Sequence, residues 1–110
     1  MTRYIQVITT TESRENARII AQALLDQRLA ACVQLAGPLL SAYWWQGRQE
    51  ESEEWQCLIK TREDLYPDVE REIKARHPYI TPEIIALPIM HGSPDYLAWL
   101  GEELRAVPKG

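Results

Sequence analysis

Arg3 to Thr9 (RYIQVIT) is rich in strand-forming residues and runs into the Thr/Ser/Glu cluster Thr10 to Ser13, which reads as a strand end and a helix start. From Ala17 onward the apolar positions Ile20, Ala21, Leu24 and Leu25 repeat at helical spacing. Arg14, Glu15, Arg18, Gln22 and Asp26 fall mainly on the opposite face. This predicts an amphipathic helix lying on a sheet. Leu29 to Leu35 follows, then Gly37 and Pro38, then Leu39 to Trp45 (LLSAYWW), together a strand broken by a turn or bulge and resumed. Gln46 to Gln49, with Gly47 inside, supplies a hairpin turn, and Glu50 to Thr61 is the returning strand. Alternation puts Trp55, Cys57 and Ile59 on one face with Glu51 and Glu53, and Gln56, Leu58 and Lys60 on the other.

A second helix begins near Asp64, with Pro67 in its first turn, where the missing N–H costs no hydrogen bond. Leu65, Val69 and Ile73, with Tyr66, form its apolar stripe, and Pro78 stops it after His77. Glu83 to Met90 (EIIALPIM) reads as the last strand, Pro88 placing that end at a sheet edge or bulge. Ser93 and Pro94 cap and open a short terminal helix with Tyr96, Leu97, Leu100 and Leu104 inward. The order β-α-β-β-α-β with an added C-terminal helix predicts an α+β, ferredoxin-like antiparallel sheet covered on one face by two helices.

One feature does not suit a monomer. A domain of this size has a radius of gyration of about 13 Å, whereas twelve extended residues from Glu50 to Thr61 reach roughly 40 Å. Part of the hairpin should overhang the core, leaving Tyr43, Trp44, Trp45 and Trp55 in water unless another subunit covers them.

Composition narrows the class. The 110 residues, 45% apolar and 25% charged, read as a single domain over residues 1–110 with one core and a fraying end from Val107 to Gly110. Neither an export signal nor the roughly 20-residue apolar run of a membrane span is visible, so no membrane is expected. Two cysteines without a signal suit a reducing cytoplasm. The net charge of −4 is built from interspersed charges, without the basic face that tracks phosphates, so no nucleic-acid partner is expected. Glu50, Glu51, Glu53 and Glu54 read as a solvated edge.

Few side chains carry candidate chemistry. Cys32 and Cys57 lie in predicted strands and read as small buried hydrophobes. His77 either meets the last-turn carbonyls of its helix or acts as a ligand, and His91 reads as a loop residue. Tyr43, Trp44, Trp45 and Tyr79 read as packing or interface aromatics. Lys60 ends a strand, where it is placed to meet an anion or a carboxylate such as Glu83. The glycines form no phosphate loop, and no nucleophile, base and acid stand out as a set, so no enzyme is expected.

Read in order, Leu29-Ala30-Ala31-Cys32-Val33, Tyr43-Trp44-Trp45-Gln46-Gly47, Lys60-Thr61, His77-Pro78-Tyr79, Pro82-Glu83-Ile84 and Tyr96-Leu97-Ala98-Trp99 resemble the CutA family of divalent-cation tolerance proteins across nearly the whole chain. The resemblance implies a ferredoxin-like protomer in a tight homotrimer, similar in architecture to the nitrogen-regulatory PII proteins. It also implies a role in tolerance to copper and other divalent metals, by weak or indirect binding and with no required cofactor. Copper binding in some members is linked to a cysteine near the end of the first strand and a histidine pair before the Pro-Tyr. The corresponding positions here resemble Thr9, Arg76 and His77, which leaves His77 as the candidate metal ligand. The rival reading is a PII-like signalling trimer whose intersubunit clefts take a small anionic ligand. Tyr43, Trp45, Lys60, Tyr79 and Glu83 are the candidate cleft or interface residues.

Overall fold

The computed structural model describes residues 3–107. β1 (Tyr4–Thr11), α1 (Arg14–Asp26), β2 (Cys32–Trp45), β3 (Arg48–Arg62), α2 (Tyr66–Arg76), β4 (Ile84–Pro88) and α3 (Pro94–Glu103) follow one another, with a single 3-10 turn at Glu63–Leu65 before α2. The four strands form one antiparallel sheet in the order β2-β3-β1-β4. This is the α+β arrangement expected of the ferredoxin-like order.

Alternation along β1 explains the layers. Ile5, Val7, Thr9 and Thr11 point to the helix-covered side and are buried. Their cross-strand partners Cys57, Ile59 and Thr61 join them. Ala17, Ile20 and Leu24 of α1, with Leu65, Val69 and Ile73 before and within α2, complete this core. The other side of the sheet pairs Gln6 with Lys60 and Leu87, and Ile8 with Leu58 and Ile85. α3 covers only one end of that side, where Gly101 meets the Tyr4 hydroxyl.

Several boundaries differ from the pattern's expectation. Thr10 and Thr11 belong to β1, since both still pair with β3, and Ser13 is the α1 N-cap, its hydroxyl accepting from the Asn16 N–H at 3.1 Å. β2 starts at Cys32, because Leu29 and Ala30 are held by the Leu24 carbonyl at the end of α1. β4 is shorter than Glu83 to Met90, while Pro88 does lie on an edge strand. Leu25 and Tyr96 are exposed, whereas Leu100 and Leu104 are buried as expected. Of the fraying end, residues 108–110 lie outside the described residues.

The hairpin is longer than the rest of the sheet can support. Its turn is two residues, Gln46 (φ 51°) and Gly47 (φ 79°), left-handed backbone that matches strand twist and suits glycine at the second place. β3 therefore begins at Arg48, earlier than expected. The break in β2 is a register shift between Ala36 and Leu39. β1 ends at Thr11, opposite Trp55. Beyond that point Leu39–Trp45 pair only with Arg48–Glu54, a two-stranded arm of roughly 24 Å. The described chain measures 43 × 30 × 24 Å, with a radius of gyration of 14.7 Å against the roughly 13 Å of a compact domain this long.

The candidate site at the base of the arm

His77 closes α2 in extended backbone conformation, so its ring turns away from the helix and reaches β1. Nε2 lies 2.7 Å from the Thr10 carbonyl oxygen, and Nδ1 accepts the Tyr79 N–H at 3.1 Å. These partners fix the neutral tautomer with hydrogen on Nε2, which donates to Thr10. The remaining Nδ1 lone pair is spent on Tyr79. The expectation that His77 meets the last-turn carbonyls of its own helix is thus corrected: the carbonyl it meets belongs to β1.

Tyr79 carries the chain of contacts on to the arm. Its ring sits 4.8 Å from the His77 ring, and its hydroxyl donates to Glu54 Oε2 at 2.8 Å. Burial, and then the facing Glu54 carboxylate, push the phenol above its ordinary range, with Glu12 and Tyr43 adding to the shift. The hydroxyl therefore stays a donor across physiological pH. Glu54 is only 7% exposed. It does not belong to the solvated acidic run expected of Glu50 to Glu54, although Glu50, Glu51 and Glu53 are exposed. Sequence reasoning missed Glu54 because its partner lies 25 positions away, and no local pattern marks such a pair.

The other candidates disperse. Lys60 donates to Gln34 Oε1 at 2.7 Å and sits opposite Gln6, whereas Glu83 precedes Ile84, which pairs with Thr9. Within the protomer Lys60 and Glu83 do not meet, because register puts the two toward opposite ends of the sheet. For the same reason Lys60 is separated from His77 and Thr10 by four residues of β1, about 14 Å. Within a protomer, then, Lys60 forms no cleft with His77 and Tyr79. Tyr43 and Trp45 lie on the arm, with the Tyr43 hydroxyl 3.3 Å from Ser52 Oγ.

The positions that resemble the copper set are also occupied. Thr9 is fully buried on the helix-covered side, and Arg76 is ion-paired with Glu72. Among the described residues no three His, Cys, Asp or Glu side chains converge in a metal-ligating group. These residues do not fit a tight copper site. Cys57 is buried, and burial pushes its thiol up to about 11. Cys32 is half-buried.

Residues 5–103 match the family described as CutA1 divalent ion tolerance protein. The chain belongs to the CutA1 family. The divalent-cation tolerance protein CutA of Thermus thermophilus is 48% identical over 96 residues, covering 87% of this chain and 93% of that protein. The crystal structure of CutA1 from Oryza sativa superposes with a TM-score of 0.92 at 37% identity, covering 96% of both chains. A CutA structure from Archaeoglobus fulgidus, described as a periplasmic divalent cation tolerance protein, gives a TM-score of 0.88 at 39% identity, over 96% of this chain and 100% of that one. No helix among the described residues is long and apolar enough to cross a membrane.

Proposed function

We propose that this chain assembles as a homotrimer and serves in tolerance to divalent metal ions, copper among them, by weak or indirect binding and without catalysing a reaction. The observation that carries the assembly is the arm. Leu40 and Trp44 are 69% and 70% exposed, and Tyr43 and Trp45 are exposed beside them. A two-stranded ribbon is marginal in water by itself, and large aromatic area without cover is characteristic of an interface. The arm argues for neighbours; the family resemblance supplies their number. Light scattering in dilute solution should give three times the protomer mass, and a single species of 12.7 kDa overturns the assembly.

The metal role rests on family membership, and its weakness rests on the geometry of His77. A cupric ion favours imidazole nitrogen, and both ring nitrogens already have partners. Binding through His77 must break one of those hydrogen bonds, which lowers affinity. Calorimetric titration with cupric chloride should give modest affinity that falls further in His77→Ala. Equal binding by both proteins removes His77 from the role. The cytoplasmic placement rests on cysteine usage alone, and because the Archaeoglobus relative is described as periplasmic, cell fractionation decides it.

A further inference from the structure

The arm leaves the sheet at one place, and a polar strut stands there. β1 stops at Thr11 opposite Trp55, so Glu54 is the first β3 residue with support from β2 alone. Leu39, its partner, follows directly on the register shift from Ala36. A bulge bends the strand that carries it, so the arm's direction depends on what holds this junction. The Tyr79 hydroxyl meets Glu54 at 2.8 Å, and the Tyr79 backbone is fixed by His77 Nδ1 at 3.1 Å. His77 is in turn anchored to Thr10, next to the last residue of β1, at 2.7 Å.

We infer that the path Thr10–His77–Tyr79–Glu54 sets the angle at which the arm leaves the sheet, making Tyr79 and Glu54 positioning residues for assembly. The proposal rests on the trimer reading, which it deepens. Glu54 has no cation within ion-pair distance among the described residues. A buried carboxylate deprived of its donor moves toward water, and the first residue of the arm moves with it. The contact therefore orients the arm while leaving the helix-covered core untouched.

The test compares Tyr79→Phe, Glu54→Leu and Glu54→Gln with wild type, using light scattering across a dilution series and amide hydrogen exchange. Tyr79→Phe and Glu54→Leu should each shift the half-assembly concentration at least tenfold upward. They should also speed exchange over residues 39–45 and 48–54, while amides of α1 and β1 stay protected. Glu54→Gln keeps a carbonyl for the phenol and should behave as wild type. Wild-type assembly and exchange in Tyr79→Phe overturn the strut. If Tyr79→Phe fails to fold, Glu54→Leu decides alone, and wild-type behaviour there overturns it as well. A wild-type protein that is monomeric throughout the series defeats the trimer reading itself, a result distinct from a trimer indifferent to Tyr79.

Discussion

Three threonines in the core make a test of sign. Thr9, Thr11 and Thr61 are all fully buried, yet they differ in what their hydroxyls meet. The Thr61 hydroxyl donates to the Leu29 carbonyl at 2.6 Å, tying β3 to the loop after α1. The Thr9 and Thr11 hydroxyls have no hydrogen-bond partner among the described residues. Valine matches threonine in shape, so a Thr→Val change isolates the hydroxyl from packing. At Thr9 it removes a desolvated group that gains nothing in return, a liability of about 1–3 kcal/mol. Thr9→Val should therefore stabilise the fold by about 1 kcal/mol, allowing for partial relaxation around the hydroxyl. At Thr61 the change leaves the Leu29 carbonyl without its donor and should cost about 1–3 kcal/mol. The separation between the variants is then roughly 2–4 kcal/mol, with opposite signs relative to wild type.

Urea unfolding followed by tryptophan fluorescence reads this difference. All proteins must be compared at one protomer concentration, because association adds to apparent stability. The denaturant slope should stay constant across the set, so that the midpoints carry the effect. If Thr9→Val and Thr61→Val move the midpoint in the same direction, the reasoning from partnered and unpartnered hydroxyls is refuted.

Further outcomes follow from the surroundings of Cys57 and Gly37. Cys57 lies in the core, its thiol directed at the Ala17 carbonyl at 3.6 Å, and burial raises its pKa to about 11 from a usual 9.0. It should resist alkylation in native protein at pH 8, and rapid labelling there would contradict its placement. Because the folded form holds this proton longer than the unfolded form, its contribution to stability is complete below pH 9 and is lost as pH rises toward 11. At Gly37, an added Cβ would come within 2.8 Å of the Trp55 ring and 3.1 Å of the Glu54 backbone oxygen. Gly37→Ala should cost about 1–3 kcal/mol by overpacking, measured as a lower urea midpoint with altered tryptophan emission. An unchanged midpoint would mean that Trp55 yields freely.

What the sequence revealed and what it concealed divide along one physical line. Periodicity, caps and turn residues act over a few positions, so the helix on Ile20 and Leu24, the cap at Ser93, the turn at Gly47 and the break at Gly37 were all legible. The overhang was legible too, because strand length alone exceeds what a domain of this size can back. Register was not. Lys60 and Glu83 each read as functional, yet nothing local says which end of β1 either one faces, and the sheet sets them apart. Glu54 looked like one more surface carboxylate because its three acidic neighbours, Glu50, Glu51 and Glu53, dominate the local pattern, and only the return of the chain after α2 brings Tyr79 to it.

Family membership and side-chain chemistry therefore constrain function differently. The CutA1 match covers residues 5–103 and carries the fold with it. The residues at the positions that resemble a copper set do other work in this protomer: Thr9 fills the core, Arg76 pairs with Glu72, and His77 holds the Tyr79 backbone to the end of β1. A side chain whose lone pair already stabilises the fold can serve a metal only by giving that stabilisation up. The same lone pair gains in value if it orients the arm, because its loss is then felt at a subunit boundary as well as in the protomer. On the proposed reading a tight metal site and an arm oriented for assembly would compete for one imidazole, whose two nitrogens already meet Thr10 and Tyr79.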